Sequence, residues 1–393
     1  MKKVTRRIAM RPARLRVVSL FAALLVVVLV GSGCTTATEQ SAGSDSEVSD
    51  SELVPEAAAA KEVAEGLMTS EATWQGPASA PAPQAGQRVA VVSCCQASEG
   101  AARPTAAIQE ASKAIGWTAT VFDGKGDPTE QNKAINAAVD ADFDAIALVF
   151  VDTTTVSESL QRALAADIPV ITLGALRNTP DSIPDVSHDW VGYGEQLANY
   201  MIWKSNGSVD ALMLNNTDLL IAYGGQLKGS EEVLGDPSLC PDCNMEKKDW
   251  SLANLDTQPA ELATAALQAN PDINWVWCFD ACMSRVSRAL TASGTTTADV
   301  RGAGFDCNGE NLQLIQENKI QVVCAADPRD WEGYAVVDNL NRMLQGEEAV
   351  DQKIPTKMFD ASNIDTLSDE ELKSGWQGDI DFRSEYAKLW GLS

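Results

Sequence analysis

The fold class is decided by residues 88–123, which read RVAVVSCCQASEGAARPTAAIQEASKAIGWTATVFD. The first six residues are a short apolar run rich in valine, which predicts a buried strand. Residues 101–115 have helical periodicity, and Gly116 follows at a position where glycine commonly ends a helix. The run TATVFD then predicts a second strand. A strand, a helix and a strand joined by short links indicate a parallel sheet covered by helices.

The same alternation continues toward the carboxyl terminus. Asp127 is placed to cap a helix whose first residue is Pro128. A second set of elements begins near residue 190. Its clearest strands read INWVWCF, VRGAGFD and IQVVCAA, at 273–279, 300–306 and 320–326. About ten strands in two successive sets predict two α/β lobes.

The amino terminus is predicted to be an export signal. A basic segment ends at Arg16, and an apolar run over 17–30 follows that is too short for a comfortable membrane span. The next residues, Gly-Ser-Gly and then Cys34, resemble a bacterial lipoprotein signal, in which the cysteine is acylated. Residues 1–33 are therefore assigned as a lipoprotein signal peptide and Cys34 as the lipidated residue. The alternative is an uncleaved anchor helix, which would also place the domain outside the cell.

Residues 34–87 are predicted to be an acidic tether rich in Ala, Ser and Pro. Residues 35–86 carry nine acidic side chains and one basic side chain, Lys61. Such a segment cannot bury enough apolar surface to offset its ordering entropy, so we expect it to be largely disordered. Residues 51–68 are rich in alanine and are compatible with a short helix.

The overall charge excludes some classes of partner. The formal net charge is −25, and residues 1–33 carry only basic charges, so the remainder is more acidic still. Binding to nucleic acid depends on Lys and Arg side chains that neutralise phosphates, and docking on anionic lipid needs a basic patch. The sequence therefore predicts no nucleic-acid partner and no basic membrane surface.

Beyond residue 88, the order and spacing of the elements resemble the ribose-binding-like (type I) periplasmic binding proteins over residues 88–359. The most similar stretches are EASKAIGWTATVFDGKGDPTEQNKAINAAV, DAIALVFVD, ADIPVITLGA, ANPDINWVWCFD, VRGAGFD and IQVVCAADPRDWEGYAVVDNL. The resemblance implies two doubly wound parallel-sheet lobes joined by a three-crossover hinge that closes on a ligand. The implied crossovers lie near 187–189, 327–328 and 354–357. The implied lobes are 88–187 plus 328–354, and 188–327 plus 355–393 with a carboxyl-terminal extension.

The resemblance also implies a function. The chain is expected to be the extracytoplasmic solute-binding component of an ABC importer, lipid-anchored to the outer face of the bacterial cytoplasmic membrane. Its implied partners are a sugar or polyol, or alternatively a cationic amine, and an ABC permease and ATPase. It is expected to be a monomer without a cofactor. The alternatives are a ligand-sensing lobe that reports to a membrane receptor and, more distantly, an exported hydrolase.

The ligand site is predicted at the residues that follow each strand. Ligands of open α/β sheets bind outside the carboxyl ends of the strands, and two facing lobes form a cleft there. Three aspartates at strand ends can accept hydrogen bonds from hydroxyl groups, although an aspartate after a strand also commonly caps the next helix. Trp331 is predicted to stack on the ligand. The predicted ligand-binding residues are Cys94, Cys95, Gln96, Asp152, Gly174, Asn215, Asn216, Asp280, Asp306, Asp327 and Trp331.

One departure from the sugar-binding relatives lies after the fourth strand. Those relatives often carry Asp-Arg there, whereas this chain reads Leu173, Gly174 and Ala175, with Arg177 slightly further on. The departure weakens a specific assignment to ribose or a similar pentose.

Eight cysteines remain beyond Cys34, and an even number in an exported protein suggests disulfides. A local disulfide is predicted between Cys240 and Cys243. A redox role for this CxxC pair would need a helix amino terminus after a strand, and the pair precedes a strand instead. Other pairs, such as Cys278 with Cys282 or Cys307 with Cys324, are possible, and the connectivity stays open.

Catalytic and metal chemistry find little support in the sequence. The single histidine, His188, falls at an implied crossover and is interpreted as a hinge residue. With one histidine and a single CxxC pair, the sequence lacks the set of closely spaced His and Cys ligands that zinc sites usually combine, so no metal is predicted. The sequence also lacks the common nucleophile, P-loop and zinc-hydrolase motifs, so the chain is predicted not to be an enzyme.

Overall fold

The computed structural model describes residues 50–69, 73–174, 183–218 and 222–392. The predicted signal peptide, Cys34 and the first part of the tether lie outside the described residues, as do Ala175 and Arg177. Within the described ranges, no helix combines the length and the apolar character that a bilayer crossing requires.

Eleven strands form two sheets among the described residues. Both sheets consist mainly of parallel strands, and the connections between parallel strands place helices on both faces of a sheet. The strands are β1 (Arg88–Ser93), β2 (Thr118–Asp123), β3 (Ala145–Val149), β4 (Val170–Leu173), β5 (Asp185–Val186), β6 (Asp210–Asn216), β7 (Asn244–Trp250), β8 (Trp275–Trp277), β9 (Arg301–Phe305), β10 (Gln321–Ala326) and β11 (Lys357–Asp360).

Helices occupy most of the intervals between these strands. Their starts follow local capping rules: Asp127 accepts a hydrogen bond from the Thr129 N–H at 2.8 Å, and a proline follows it as the first helical residue. The helices are α1 (Pro55–Glu65), α2 (Glu99–Ala114), α3 (Pro128–Asp140), α4 (Ser157–Ala165), α5 (Trp190–Lys204), α6 (Ala222–Leu234), α7 (Gln258–Ala269), α8 (Asp280–Ala292), α9 (Gly309–Gln316), α10 (Arg329–Leu344), α11 (Glu371–Ser374) and α12 (Phe382–Leu389).

The first lobe contains a five-stranded parallel sheet in the order β2-β1-β3-β4-β5. In its register, Val89 of β1 lies opposite Ala119 on one side and Ala145 on the other. Strands β1 and β3 are almost wholly buried, which matches their unbroken apolar sequences. The helix α10 packs against α2 on this lobe although it is far away in the sequence.

The second lobe contains a six-stranded sheet in the order β11-β10-β9-β8-β6-β7. All of its pairs are parallel except β10 with β11, which is antiparallel. The chain passes between the two sheets in three places: after β5, after β10 and between α10 and β11. The prediction of two parallel-sheet α/β lobes is confirmed.

Residues 55–65 correct the prediction of a largely disordered tether. They form α1, which packs on α5 of the second lobe and buries Ala57, Ala60 and Ala64. Just beyond the helix, the Leu67 carbonyl accepts a hydrogen bond of 2.6 Å from the Met358 N–H. The average composition of the segment is polar, but its buried alanines recur every three or four residues and so share one face of a helix.

Residues 73–87 are also ordered, and they lie on the first lobe. The indole of Trp74 stacks on that of Trp331, with ring centroids 5.6 Å apart. Side chains of α10 donate hydrogen bonds to carbonyl groups of this segment, for example Asn341 to Pro81 at 2.7 Å. We call residues 55–69 and 73–87 together the amino-terminal strap, because the first part lies on the second lobe and the second part on the first lobe.

The carboxyl-terminal extension corrects the second domain assignment, which placed all of residues 355–393 in the second lobe. Its first helix, α11, packs on α9 of the second lobe. Its last helix, α12, packs instead on α10 of the first lobe, where Phe382 and Tyr386 are buried. The apolar side chains of α12 are spaced by four residues, and the aromatic surface of α10 is what buries them.

Candidate functional site

The candidate site lies where β9 and β10 of the second lobe end. Asp306 follows β9, and Asp327 follows β10 at the second crossover. Asp306 and Cys307 have φ angles of 86° and 46°, in the left-handed region that side chains other than glycine rarely adopt. Such strained backbone conformations persist only where the surrounding structure holds the residue in place. They occur most often at functional sites.

Arg329, in the first turn of α10, joins three carboxylates. Its guanidinium forms an ion pair with Asp306, lies 3.0 Å from Oδ2 of Asp327, and lies 3.1 Å from Oε1 of Glu332. All four side chains are completely buried. Charges that are removed from water in this way are stable only when they are paired and hydrogen-bonded. Arg329 is therefore the element that keeps these carboxylates together.

Two further side chains complete this group from the second lobe and the first crossover. Nε2 of His188 lies 2.7 Å from Oε1 of Glu332 and 3.6 Å from Oδ1 of Asp327. The Tyr193 hydroxyl donates a hydrogen bond of 2.6 Å to Oδ1 of Asp327. We call this set the hinge cluster, and it comprises His188, Tyr193, Asp306, Asp327, Arg329 and Glu332.

Aromatic rings flank the hinge cluster. The guanidinium carbon of Arg329 lies 5.0 Å from the ring centroid of Phe150 and 5.7 Å from that of Trp190. Both distances are in the range of cation–π attraction. Phe150 directly follows β3 and has a φ angle of 53°, so a second strand end near this point carries an unusual backbone conformation. Both rings thus add favourable contacts to the buried guanidinium.

The electrostatics of the hinge cluster follow from burial and pairing. Burial raises the pKa of Asp327, and the charges of Arg329 and His188 only partly oppose it. Burial also raises the pKa of Glu332, but Arg329 and His188 outweigh it, so this pKa is lowered. Burial lowers the pKa of His188, but Asp327 and Glu332 outweigh it, so this pKa is raised. The cluster therefore favours an ionised Glu332 beside a protonated His188.

This arrangement predicts a pH-dependent contribution of His188 to stability. Because the pKa of His188 is raised by folding, its stabilising effect is complete below about pH 6.5, its unfolded value, and is lost as the pH rises through the folded value. We expect His188→Gln to reduce the free energy of unfolding more at about pH 6 than at about pH 9. Urea titrations of both proteins at the two pH values measure this. An equal reduction at both would mean that folding leaves the pKa of His188 unchanged.

The third predicted aspartate, Asp280, is held within its own lobe. Its Oδ1 accepts a hydrogen bond of 2.8 Å from the Gln321 amide, and its Oδ2 accepts one of 2.9 Å from the Asn308 N–H. Burial raises the pKa of Asp280 well above its usual range, and the charge of Asp306 raises it further. Both oxygens thus have partners in the second lobe, and the side chain supports the turn that follows β9.

The two lobes meet directly beside Asp306. A Cβ atom at Gly100, in the first turn of α2, would lie 2.8 Å from Oδ2 of Asp306. Elsewhere along the same boundary, the Arg103 guanidinium of the first lobe donates a hydrogen bond of 3.2 Å to the Trp376 carbonyl. The residue at position 100 must therefore be small for the lobes to approach this closely.

Three predicted residues of the first lobe follow β1. Cys94 and Cys95 are buried, and their sulfur atoms lie 2.8 Å apart. The Gln96 amide donates a hydrogen bond of 3.3 Å to the Thr105 hydroxyl on α2 of its own lobe. These residues lie in the segment between β1 and α2, which leads to Gly100.

Four other predicted residues make local contacts at strand ends. Asp152 accepts hydrogen bonds from the N–H and the hydroxyl of Thr154 and so closes a turn. The Asn215 amide donates to Asp249 at 2.7 Å, and Asn216 accepts from the Asp218 N–H at 3.0 Å. Gly174 has a φ angle of 69°, and a Cβ atom there would collide with the Phe150 ring. None of these four contacts joins them to the hinge cluster.

Trp331, which was predicted to stack on a ligand, already has an aromatic ring on each face. Its side chain is 2% exposed and lies in the first-lobe core, stacked between Trp74 and Phe382. Arg329 and Glu332 are three residues apart and share one face of α10, whereas Trp331 points from a different face. The helix thus directs Arg329 and Glu332 into the hinge cluster and Trp331 into the core.

Arg329, Glu332 and Tyr193 were missed as site residues from the sequence. The available signal was the sequence Asp327-Pro-Arg329, in which a cation follows a strand-end carboxylate by two residues. The Arg–Glu spacing of three on the next helix would have strengthened it. Tyr193 carries no such signal, because its contact with Asp327 joins residues 134 positions apart.

A metal does not fit the hinge cluster well. Ligand atoms of His188, Asp327 and Glu332 all lie within 4.8 Å of one another. However, the Arg329 guanidinium already lies at hydrogen-bonding distance from both carboxylates and supplies the positive charge. A divalent cation would have to displace this buried side chain, so the donor set suits an internal ion-pair network.

The fold and the site define a class, the two-lobed solute-binding proteins whose ligand lies between the lobes. The family profile described as "periplasmic binding protein domain" matches residues 89–348. This chain belongs to the periplasmic binding protein family, and its relatives place it with the type I members. The family comprises exported substrate-binding proteins of transporters rather than enzymes.

Individual relatives are distant in sequence but similar in fold. The ribose import binding protein of Bacillus subtilis (strain 168) is 22% identical over 242 residues, which span 61% of this chain and 76% of that protein. The Caulobacter myo-inositol binding protein, solved with myo-inositol, is 15% identical with a TM-score of 0.65, covering 73% of this chain and 97% of that one. A solute-binding protein from Agrobacterium vitis, solved with allitol, is 17% identical with a TM-score of 0.65, covering 71% and 97%.

Proposed function

We propose that this protein captures a sugar or polyol between its lobes, as the solute-binding component of an ABC importer. The observation that carries the proposal is the position of Asp306, at the carboxyl end of β9 and directly beside Gly100 of the other lobe. A ligand at this boundary contacts both lobes and so stabilises their approach. The relatives that were solved with myo-inositol and allitol bind polyols.

The charge balance favours a neutral polyol over a cationic amine. Asp306, Asp327 and Glu332 supply three carboxylates, and Arg329 and His188 already supply positive charge beside them. Paired carboxylates still have lone pairs that accept hydrogen bonds from hydroxyl groups. A polyamine would have to compete with a buried guanidinium for the same oxygens.

The protein should also be tethered and monomeric. The amino-terminal signal supports acylation at Cys34, which would anchor the protein to the outer face of the cytoplasmic membrane. The amino-terminal strap begins at Pro55, which leaves the residues between Cys34 and Pro55 as the reach from the membrane. Cys34→Ala should release the protein from membranes into the soluble fraction, and retention would contradict the anchor.

Three disulfides are part of the proposal. The sulfur atoms lie at bonding distance in the pairs Cys240–Cys243, Cys278–Cys282 and Cys307–Cys324. Each pair lies within the second lobe, so none of them would prevent the lobes from moving apart. Disulfides are stable in the oxidising environment of an exported protein.

A ligand screen tests the function directly. The chain from Asp50 onward is heated with ribose, galactose, myo-inositol, allitol, arginine or spermidine, and its unfolding temperature is recorded. A ligand at a hundredfold excess over its Kd adds about 2.7 kcal/mol to the free energy of unfolding. We expect a shift with a sugar or polyol. A shift only with arginine or spermidine would reject the polyol assignment.

The same screen uses Asp306→Asn to test the site. We expect this variant to weaken binding of the identified ligand by roughly 1–3 kcal/mol, the usual cost of losing a hydrogen-bond partner. Asp299→Asn is the matched control, because Asp299 is an exposed residue that caps a surface turn. Equal affinity in the two variants would remove Asp306 from the binding site.

The Gly100→Ala variant distinguishes an effect on lobe closure from an effect on folding. The added methyl group would meet Asp306 across the lobe boundary, so we expect a ligand affinity at least about tenfold weaker, equivalent to 1.4 kcal/mol. Within α2, alanine is the better helix former by as much as about 1 kcal/mol, so the unfolding free energy should not fall. Calorimetric titration and urea unfolding measure the two quantities. Unchanged affinity would mean that ligand binding does not require this close approach.

A further inference from the structure

Two adjacent cysteines stand apart from the other pairs. Cys94 and Cys95 directly follow β1, both are 2% exposed, and their sulfur atoms lie 2.8 Å apart. The other six described cysteines form the three pairs at bonding distance in the second lobe. The first lobe thus holds one thiol pair in a protein that is exported to an oxidising environment.

The backbone around the pair ties it to the lobe boundary. The Cys94 N–H donates a hydrogen bond of 2.8 Å to the Val149 carbonyl, and the Cys94 carbonyl accepts a hydrogen bond of 2.7 Å from the Gly126 N–H. Val149 precedes Phe150, whose ring faces the Arg329 guanidinium. A Cβ atom at Gly126 would lie 3.4 Å from Cδ2 of Leu252 in the second lobe, so this turn lies close to the lobe boundary.

We propose that Cys94 and Cys95 form a fourth disulfide, between adjacent residues, which fixes the first-lobe wall of the ligand cleft.

The covalent step is a thiol–disulfide exchange with a donor disulfide, which belongs either to a protein oxidoreductase or to a small molecule. One cysteine thiolate attacks a donor sulfur, which forms a mixed disulfide and releases the first donor thiol. The second cysteine then displaces the other donor sulfur. Two donor thiols leave and take up the two protons, while the cysteine pair is oxidised and the donor disulfide is reduced.

The geometry explains when this bond forms. Burial raises the pKa of the Cys94 thiol well above its usual range, and contact with Cys95 raises it further. A buried thiol with a raised pKa exchanges slowly, so oxidation takes place before the first lobe is complete or while the lobes are apart.

The same bond should be the most easily reduced of the four. Adjacent Cα atoms are only about 3.8 Å apart across a trans peptide, closer than in ordinary disulfides. Where the lobes are apart and the reagent reaches the pair, a mild dithiol buffer should therefore open this ring first, so the reduction is carried out on the ligand-free protein.

The effect on the ligand rests on the proposed function. The ring removes rotational freedom from the turn between Cys94 and Gln96, which precedes α2 and Gly100. A wall that is fixed in its binding conformation loses less entropy when the lobes close. Selective reduction should therefore weaken affinity for the polyol identified in the screen by about tenfold, equivalent to 1.4 kcal/mol.

The bond itself is tested without any ligand. The full chain is expressed with export, unfolded in guanidinium chloride near neutral pH in the presence of excess alkylating reagent, and digested without reduction, because alkylation proceeds through the thiolate. The peptide that contains both cysteines should carry no alkyl group and lack both thiol hydrogens, and it should accept two alkyl groups only after reduction. Alkylation of both cysteines before reduction, or a link to any other cysteine, would overturn the proposal.

The role in binding is tested on the same protein. Affinity for the identified polyol is measured before and after mild reduction, and in Cys94→Ser/Cys95→Ser, provided that its circular dichroism matches that of the wild type. Weaker affinity in both cases supports the proposal, whereas unchanged affinity on selective reduction overturns the role of the ring. If none of the sugars or polyols in the screen binds the oxidised wild type, the proposed function fails, and the peptide analysis still decides whether the disulfide exists.

Discussion

Arg329→Met is expected to lower the free energy of unfolding by about 3–5 kcal/mol, the range measured when one partner of a buried ion pair is removed. Asp306, Asp327 and Glu332 all depend on this guanidinium, and all are completely buried. Methionine fills part of the volume but leaves three carboxylates with too little positive charge. Urea unfolding at neutral pH measures the loss.

Arg288→Met is the matched control for this experiment. Arg288 lies 3.0 Å from Glu310, but its side chain is 59% exposed. Exposed pairs of this type contribute about 0–1 kcal/mol because water screens them. If the two variants lost similar free energy, Arg329 would not be the residue that holds the hinge cluster together.

The stability difference between wild type and Arg329→Met at acidic pH provides a second check. Folding lowers the pKa of Glu332. Its ionised side chain therefore stabilises the protein fully above the pKa that it has in the unfolded chain, and this effect is lost as the pH falls through the pKa that it has in the folded protein. Without Arg329, the main cause that lowers this pKa is gone. The gap between wild type and variant should therefore narrow as the pH falls below about 4.5.

Removal of the amino-terminal strap is expected to have the second largest effect. A protein that begins at Gln87 lacks α1 and Trp74, and it exposes the surfaces of α5 and α10 on which they lie. We expect a loss of about 3 kcal/mol or more in the free energy of unfolding, comparable with the removal of one large buried side chain. Urea titration of purified protein measures this loss.

Two further proteins separate the strap from the remaining amino-terminal residues. A protein that begins at Asp50 retains the strap and should match the full-length chain in stability. Trp74→Ala in that protein should account for part of the loss, because its indole stacks on Trp331 and meets the Tyr386 ring edge-on at 5.2 Å. If the proteins that begin at Gln87 and Asp50 were equally stable, residues 50–87 would be a tether without a structural role.

The sequence determined the architecture because strands, helices and their starts are encoded over a few neighbouring residues. Valine-rich runs such as that of β1 specify buried strands, and Asp127 with Pro128 specifies the start of α3. The positions of Asp306 and Asp327 at strand ends followed from the same local patterns. The family resemblance rested on the order of these units, and it was confirmed.

Tertiary structure decided the contacts between residues that are far apart in the chain. Trp331 belongs to the core because Trp74 and Phe382 lie on either side of it. The polar composition of residues 34–87 predicted disorder, yet the apolar face of α1 is buried because α5 offers a matching surface. Composition reports an average, whereas burial depends on which face of a helix meets a partner.

The hinge cluster shows the same division between local and distant information. The sequence pattern placed Asp306 and Asp327 at strand ends, and the family resemblance placed His188 at a crossover. Only the folded chain brings Arg329 between the carboxylates and sets the Tyr193 hydroxyl 2.6 Å from Asp327. The physical reason is that local periodicity fixes where a strand ends, while the free energy of a buried charge depends on every group that surrounds it.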